Sequence, residues 1–312
     1  MNAAWMRTLT VTLTSTKFKK KFVFGENHLK NQNDLAISVH GYKYMSSLKD
    51  SCTISISNLT YSEIVQIIDG QFYDVEVRSG YEKLGSHTIF KGYVIYISNV
   101  LNDRMTNTAV LICGSSLVAR FGQSRINLSI NSGINMYSAL KFVCRRAGVP
   151  NSNVSQQLKK KVITEVLTTD GSAAAWINKL AQSDTSLLIN TDEASNSFVS
   201  VFDGTKDDSK KIILKSELFN LSGGYPQLNA DGLSFFLMPT FNFSCGDVVQ
   251  LDNSIINIGG GNATENRGYY LDKDGCYVLY EVEYELENRG SNFYQRLLCK
   301  SRSLVRNILG DK

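Results

Sequence analysis

The sequence predicts a mainly β protein in which two antiparallel β-barrels flank a small mixed α/β domain. Three observations support this fold class: apolar residues alternate at period two in the first and last thirds, helical spacing appears in the middle third, and one hairpin pattern occurs twice. We place the first barrel at residues 1–117, the mixed α/β insert at 118–208 and the second barrel at 209–312.

The first third is typical of half-buried strands. Apolar and polar residues alternate at 8–14, 52–57 and 73–78. Between the last two of these segments, Thr60 and Glu63 form a capping box, which predicts a short helix. With two further strands near 88–113, the set is large enough to close a barrel or to form a sandwich.

The middle third changes to helical spacing. Apolar residues at 136–147 predict a helix that ends at Gly148. Asp170 or Ser172 can cap a second helix that includes Trp176. Two short strands at 187–202, separated by a polar turn, predict a hairpin and complete a small mixed α/β domain.

The last third again predicts strands, and it repeats part of the first. The pattern Tyr93-Val94-Ile95-Tyr96 followed by Cys113 returns as Tyr277-Val278-Leu279-Tyr280 followed by Cys299, at separations of 184 residues for the tyrosines and 186 for the cysteines. Two generic hairpins can match by chance, because Tyr, Val and Leu are common in strands. The alternative interpretation is a pair of related barrels.

Composition excludes several classes of function. Lys and Arg number 33 against 29 Asp and Glu, so the net charge of +4 is too small for a typical nucleic-acid-binding domain. The six cysteines form no CxxC pair, which indicates buried free thiols, and the three histidines lie in no ligand or catalytic motif. We therefore expect no cofactor, no metal and no enzymatic activity. We also expect no membrane-spanning segment and no signal peptide.

Two charged segments are candidates for contacts with partners. Lys17, Lys19, Lys20 and Lys21 surround Phe18 and either touch phosphates or protect a strand edge against aggregation. A later strand is predicted to place Val278, Tyr280, Val282, Tyr284 and Leu286 on one face and Glu281, Glu283, Glu285 and Glu287 on the other. Because stacked like charges repel, this acidic row is either a solvated outer face or a surface that faces polyanions or a basic partner.

Several short motifs, taken in order, resemble the baseplate hub proteins of contractile-tailed bacteriophages and the hub portion of type VI secretion spike proteins. The motifs are Ile54-Ser55-Ile56-Ser57-Asn58-Leu59, Val75-Glu76-Val77-Arg78-Ser79-Gly80-Tyr81, Phe90-Lys91-Gly92, Leu237-Met238-Pro239, Cys245-Gly246-Asp247-Val248-Val249 and Arg289. The resemblance implies two tail-tube-like barrels per chain and a homotrimer whose six barrels adapt a hexameric tail tube to a central spike.

The same resemblance implies the partners: the tail tube protein, the central spike protein, other baseplate proteins, and DNA that passes through without sequence-specific binding. It implies a structural protein of the virion tail, made in the host cytoplasm. Because a row of like charges costs stability and a passage for DNA gives such a face a use, we expect Glu281, Glu283, Glu285 and Glu287 to face the lumen of the ring or a neighbouring subunit's basic patch. The chain shows no fused spike or lysozyme region. The alternatives are a tail-associated cell-wall glycan hydrolase and another tail-tube-like adaptor. A glycan-binding module is disfavoured because Trp5 and Trp176 are the only tryptophans.

Overall fold

The computed structural model describes most of the chain. The described residues are 6–15, 18–25, 35–45, 50–69, 74–102, 106–115, 125–148, 152–154, 156–173, 175–176, 188–190, 199–202, 211–222, 224–229, 231–258 and 271–301. Trp5, Lys17, the polar turn at 191–197 and the second part of the predicted helix after Trp176 lie outside these residues.

Fourteen strands form one large, mostly antiparallel sheet. They are β1 (Arg7–Ser15), β2 (Lys20–Phe24), β3 (Ala36–Tyr44), β4 (Ser51–Ser57), β5 (Asp74–Tyr81), β6 (Gly85–Asn102), β7 (Thr106–Gly114), β13 (Lys211–Ile213), β14 (Gln227–Asn229), β15 (Gly232–Leu237), β16 (Val248–Gln250), β17 (Asn257–Ile258), β18 (Cys276–Glu287) and β19 (Phe293–Ser301). Five further strands form two small sheets. In one, β8 (Arg125–Ile130) pairs with β10 (Leu167–Ser172). In the other, β12 (Val199–Phe202) pairs with β9 (Ser152–Val154) and with β11 (Leu188–Asn190).

The large sheet differs from the predicted pair of separate closed barrels. Its main path runs β17-β14-β15-β19-β18-β3-β4-β7-β6-β5-β1-β2, and the described strands leave it open. The two predicted barrel segments join where β3 pairs with β18 over seven residue pairs, from Ser38 opposite Glu287 to Tyr44 opposite Glu281. Period-two alternation predicts that a strand has two unlike faces, but it carries no information about which strand is its neighbour.

The predicted capping box is confirmed. Helix α1 (Tyr61–Asp69) begins after Thr60. The Thr60 backbone N–H donates to Glu63 Oε2 at 2.8 Å, and the Glu63 backbone N–H donates to Thr60 Oγ1 at 3.2 Å. These bonds satisfy two backbone donors that a helix start otherwise leaves unpaired.

In the insert, helix α2 (Met136–Arg146) is confirmed, and Gly148 follows it with a φ of 76°. A further helical turn begins at Ala173. The Ala175 backbone N–H donates to Ser172 Oγ at 3.2 Å, so Ser172 is the capping residue. The alternative cap, Asp170, lies two residues before the end of β10, and Ser172 is the last residue of that strand. Strands β11 and β12 pair antiparallel, as the predicted hairpin requires.

Three hydrophobic clusters form the core. One belongs to the first third of the chain but also contains Tyr284, Leu286 and Phe293 from the last third. The second lies within the insert and includes the fully buried Trp176, whose Nε1 donates to the Ile126 carbonyl at 3.4 Å. The third belongs to the last third but includes Met45. The first and last thirds therefore share their cores across the β3–β18 junction, and the boundaries at 117 and 208 stay a prediction.

The repeated hairpins share an irregularity that the sequence does not display. Each contains one β-bulge: the register shifts between Val94 and Tyr96 in the β6–β7 hairpin, and between Leu279 and Glu281 in the β18–β19 hairpin. A cysteine lies opposite the last residue before each bulge, Cys113 opposite Val94 and Cys299 opposite Leu279. The pairing thus makes Val94 equivalent to Leu279, one residue away from the sequence match of Val94 with Val278.

The bulge at Tyr280 also corrects the predicted faces of β18. After it, Val282, Tyr284 and Leu286 are buried as predicted, while Tyr280 is only half-buried and lies beneath the Lys300 Nζ, 4.0 Å from the ring centroid. The prediction that Val278 and Tyr280 share the face of Val282 is wrong, because the extra residue of a bulge interrupts the alternation. Val278 lies opposite the half-buried Lys300, whereas Leu279 lies opposite the buried Cys299 and is the residue that shares the face of Val282. Alternation resumes immediately afterwards, and the four glutamates do share one face.

Candidate functional site

The acidic row lies near the middle of the large sheet, on β18 between β3 and β19. We call the four glutamates and their cross-strand neighbours the acidic face. Opposite Glu281 are Tyr44 and Leu298; opposite Glu283 are Tyr42 and Arg296; opposite Glu285 are His40 and Tyr294. The structure therefore brings all four predicted residues together and surrounds them with aromatic and basic side chains that sequence reasoning did not include.

Glu283 is the most heavily paired member of the row. Its Oε1 lies 3.3 Å from His40 Nε2, and Arg296 Nη1 donates to its Oε2 at 3.4 Å. Its side chain is 19% exposed. Burial raises the pKa of the Glu283 carboxyl, but hydrogen bonds from His40, Tyr42 and Arg296 outweigh that effect and leave the pKa below its usual value. Burial and the contact with Glu283 raise the pKa of Tyr42 to about 12.

Glu285 and Glu287 are held by the turn between β18 and β19. Asn292 Nδ2 donates to Glu285 Oε1 at 2.6 Å, and the Tyr294 hydroxyl donates to Glu285 Oε2. The hydrogen bond with Glu285, followed by burial, raises the pKa of Tyr294 to about 12. The Asn292 backbone N–H donates to Glu287 Oε2 at 3.2 Å. These two carboxylates are therefore fixed in position by neutral donors of the same hairpin.

Glu281 has a different environment. Burial raises the pKa of its carboxyl, the nearby Arg296 lowers it, and the charges of Glu283 and Asp231 raise it again, so the pKa lies above its usual value. Among the described residues, no group donates a hydrogen bond to this carboxylate. Glu283 is thus the member of the row that is paired with basic side chains, and Glu281 is the member without a hydrogen-bond donor among the described residues.

Three of the four glutamates have hydrogen-bond partners within their own chain. Side chains on both neighbouring strands offset the repulsion between glutamates, so repulsion alone does not require an external partner. His40 and Tyr42 lie more than 240 residues before Glu283 in the chain, and no sequence signal connects them to it. Tyr294 and Arg296 were detectable, because the predicted hairpin places alternate residues of 294–301 beside the row.

Exposed aromatic and apolar side chains extend the face on both sides. The register runs from Glu285 through His40 and Thr53 to Ile112 and Tyr96. Ile112 and Tyr96 are 43% and 58% exposed. On the other side, the Phe236 ring packs edge-on against the Tyr294 ring, with the centroids 5.3 Å apart. Such a broad surface of mixed aromatic and charged side chains suits contact with macromolecules.

Strand β2, which carries Lys20 and Lys21, is an edge strand of the large sheet, and both lysines are exposed. All six cysteines are buried free thiols, as predicted. Within the part of the chain that the structure describes, no cluster of His, Cys, Asp and Glu is arranged to hold a metal ion. None of the described helices is long and apolar enough to cross a membrane.

No protein-family model and no curated protein sequence matches this chain. Solved structures do match its fold. The 43 kDa tail protein of prophage MuSo2 from Shewanella oneidensis is similar with a TM-score of 0.59 and 8% identity, over 96% of this chain and 98% of that one. A tail protein from Neisseria meningitidis has a TM-score of 0.57 and 8% identity, over 98% and 99% of the two chains.

A third match links the same fold to secretion systems. It is an Escherichia coli component of the type VI secretion system, described as structurally similar to the T4 bacteriophage tail proteins gp27 and gp5. The match has a TM-score of 0.53 and 9% identity, over 87% of this chain and 75% of that one. The chain therefore has the fold of these tail proteins. The resemblance to the hub family inferred from the sequence is confirmed as a likeness of fold.

Proposed function

We propose that this chain is a structural protein of a phage tail, a trimeric baseplate hub that joins the hexameric tail tube to the central spike. The observation that supports this most directly is the match to the Shewanella prophage tail protein over nearly the whole of both chains. A likeness of that extent covers both predicted barrel segments and the insert together. It favours a structural tail component over a tail-associated glycan hydrolase.

The bulged hairpins support three copies per assembly. Two hairpins with a bulge at the same place relative to a cysteine indicate two related structural units in one chain. Three such chains in a closed ring present six related positions, which is the number that a hexameric tube needs. We therefore propose that the homotrimer contacts the tail tube protein on one side and the spike protein on the other, with other baseplate proteins around it.

We propose that the acidic face lines the lumen of this ring. The alternative, a contact with a neighbouring subunit's basic patch, is less favoured because Glu283 already has Arg296 and His40 as partners within its own chain. Carboxylates held in place by hydrogen bonds present fixed negative charge to passing DNA. Such a wall keeps phosphates from binding and slowing the transit. The protein would then act in the virion tail after assembly in the host cytoplasm, without sequence-specific DNA binding and without catalysis.

Light scattering of the purified chain mixed with its spike partner tests the trimer. We expect three copies per spike, and a stable monomer or dimer in that complex would refute the hub. Incubation with purified peptidoglycan tests the hydrolase alternative, and release of soluble glycan fragments would overturn the non-enzymatic assignment.

The acidic face is best tested with the double variant Glu283→Gln and Glu285→Gln. Glutamine removes the charge but keeps an acceptor oxygen, whereas lysine at 283 would oppose Arg296 and disturb the fold itself. Glu82→Gln, at an exposed position outside the acidic face, is the matched control. If the face lines the lumen, particles of the double variant assemble but deliver DNA poorly. Failed assembly would favour the subunit contact, and unchanged assembly and infectivity would leave a solvated face.

A further inference from the structure

Two of the six cysteines face each other in the core of the large sheet. Strands β4 and β7 pair antiparallel, and their register places Cys52 directly opposite Cys113. The side chains are 1% and 0% exposed, and both belong to the same hydrophobic cluster. Opposite residues of an antiparallel pair point to the same side of the sheet, with their Cα atoms about 4.5–5.5 Å apart.

That spacing is compatible with a covalent link. Disulfides join Cα atoms that are about 4.4–6.8 Å apart. No other cysteine has a cysteine opposite it in the strand pairing: Cys299 lies opposite Leu279 and Cys276 opposite Gln250, while Cys144 belongs to helix α2 and Cys245 to the loop before β16. We propose that Cys52 and Cys113 are an oxidation site that forms a cross-strand disulfide, and that the completed sheet protects the pair from oxidation.

The protection has two causes. Burial raises the pKa of both thiols, to about 12 for Cys52, where the neighbouring Tyr284 hydroxyl only partly opposes the rise. Thiolate, which is the reactive form, is therefore scarce. In addition, β4 is paired with β3 and β7, and β7 with β4 and β6, so that neither strand is at an edge. A reagent reaches the thiols only after these strands separate.

The oxidant that fits this chemistry is a low-molecular-mass disulfide. In the unfolded or partly folded chain, the Cys52 thiolate attacks one sulfur of the reagent, forms a mixed disulfide and releases one small thiolate. The Cys113 thiolate then attacks the Cys52 sulfur and releases the second small thiolate. The protein loses two electrons and two protons, and the reagent is reduced to two thiols. The disulfide closes a loop of the chain between Cys52 and Cys113, within the hydrophobic cluster of the first third.

Refolding of the full-length chain in oxidised glutathione tests the proposal. The chain is unfolded in urea with its thiols reduced, then refolded by dilution into the oxidant, quenched with an alkylating reagent and analysed by proteolysis and mass spectrometry. We expect a loss of two hydrogens in mass and a linked peptide pair that contains Cys52 and Cys113. The native protein, kept in the same buffer for the same time, should keep both thiols reduced.

Three outcomes would overturn the proposal. Absence of the link after refolding, or links spread evenly among all the cysteines, would show that the pair is not a specific site. Equally fast linkage in the native protein would show that the sheet gives no protection. Cys144→Ala, which removes a buried thiol from the insert, should keep the disulfide, whereas Cys113→Ala should abolish it. If a variant folds poorly, the peptide mapping of the refolded wild-type chain still decides whether Cys52 and Cys113 are linked.

The stability of the linked protein provides a second readout. A disulfide that fits the native register constrains the unfolded chain, so the urea midpoint of the linked form should rise and return to its original value after reduction. An unchanged or lower midpoint would show that the link distorts the sheet, and it would contradict the claim that the native register accommodates it.

Discussion

Gly41 on β3 is paired with one residue on each of its two neighbouring strands. The register places it opposite Tyr284 on one side and Cys52 on the other. A Cβ atom at position 41 would lie 2.6 Å from Tyr284 Cε2, and closer still to Cζ and Oη of the same ring. The Tyr284 ring therefore covers the glycine, and only a residue without a side chain leaves room for it.

We predict that Gly41→Ala strongly destabilises the protein. Tyr284 is fully buried, so its ring cannot swing into solvent to relieve the overlap. Overpacking a closed core site costs about 1–3 kcal/mol and occasionally more, and we expect about 3 kcal/mol here because three ring atoms overlap at once. Urea unfolding followed by circular dichroism measures the loss as a lower midpoint with an unchanged slope.

A double-mutant cycle separates overlap from backbone effects. Tyr284→Leu alone should cost about 2–4 kcal/mol through the cavity that it leaves. The double variant should cost less than the sum of the two, by about 1–3 kcal/mol, because leucine leaves space for the new methyl group. Gly114→Ala is the matched control, since its nearest new contact is the end of the exposed Ile95 side chain at 3.0 Å. Full additivity, or an equal loss for Gly41→Ala and Gly114→Ala, would refute the reasoning.

Three further predictions concern separate parts of the chain. Thr60→Ala should lower the free energy of unfolding by about 1 kcal/mol, because helix α1 loses its capping box. Thr53→Ala, at an exposed strand position, is the control. An equal loss of unfolding free energy in both variants would contradict the capping role. The pKa of Glu283 is lowered on folding, so its ionised form contributes stability above about pH 4.5, and this stability is lost as the pH falls through the lowered pKa. The difference in unfolding free energy between the wild-type protein and Glu283→Gln, measured by urea unfolding, should therefore shrink in acid. A constant difference from pH 7 to pH 3 would refute this. Trp176→Phe should lower the unfolding free energy of the insert by about 1–3 kcal/mol, because it removes the hydrogen bond to Ile126 and leaves a small cavity. The blue-shifted tryptophan emission should be lost at the same time. Unchanged emission would show that Trp176 is not the buried fluorophore.

Local sequence signals predicted the local structure correctly. Alternation at period two predicted the faces of β1 and β4, and the capping box at Thr60 predicted the start of helix α1. These signals succeed because their physical cause lies within a few residues: side chains alternate across a strand, and a capping hydroxyl reaches a backbone N–H in the next turn. The bulge at Tyr280 is the exception, because an extra residue in a ladder is defined only by the partner strand.

The sequence by itself determined a β-rich chain with an α/β insert, a row of four glutamates on one strand face, and buried cysteines without a ligand motif. Tertiary structure alone decided that β3 joins β18 in one open sheet, that His40 and Arg296 flank Glu283, and that Cys52 lies opposite Cys113. The physical reason is that hydrogen bonding between strands is the same for every sequence, so the backbone does not encode which distant strands become neighbours. That choice depends on the side chains that pack together once the whole sheet has formed.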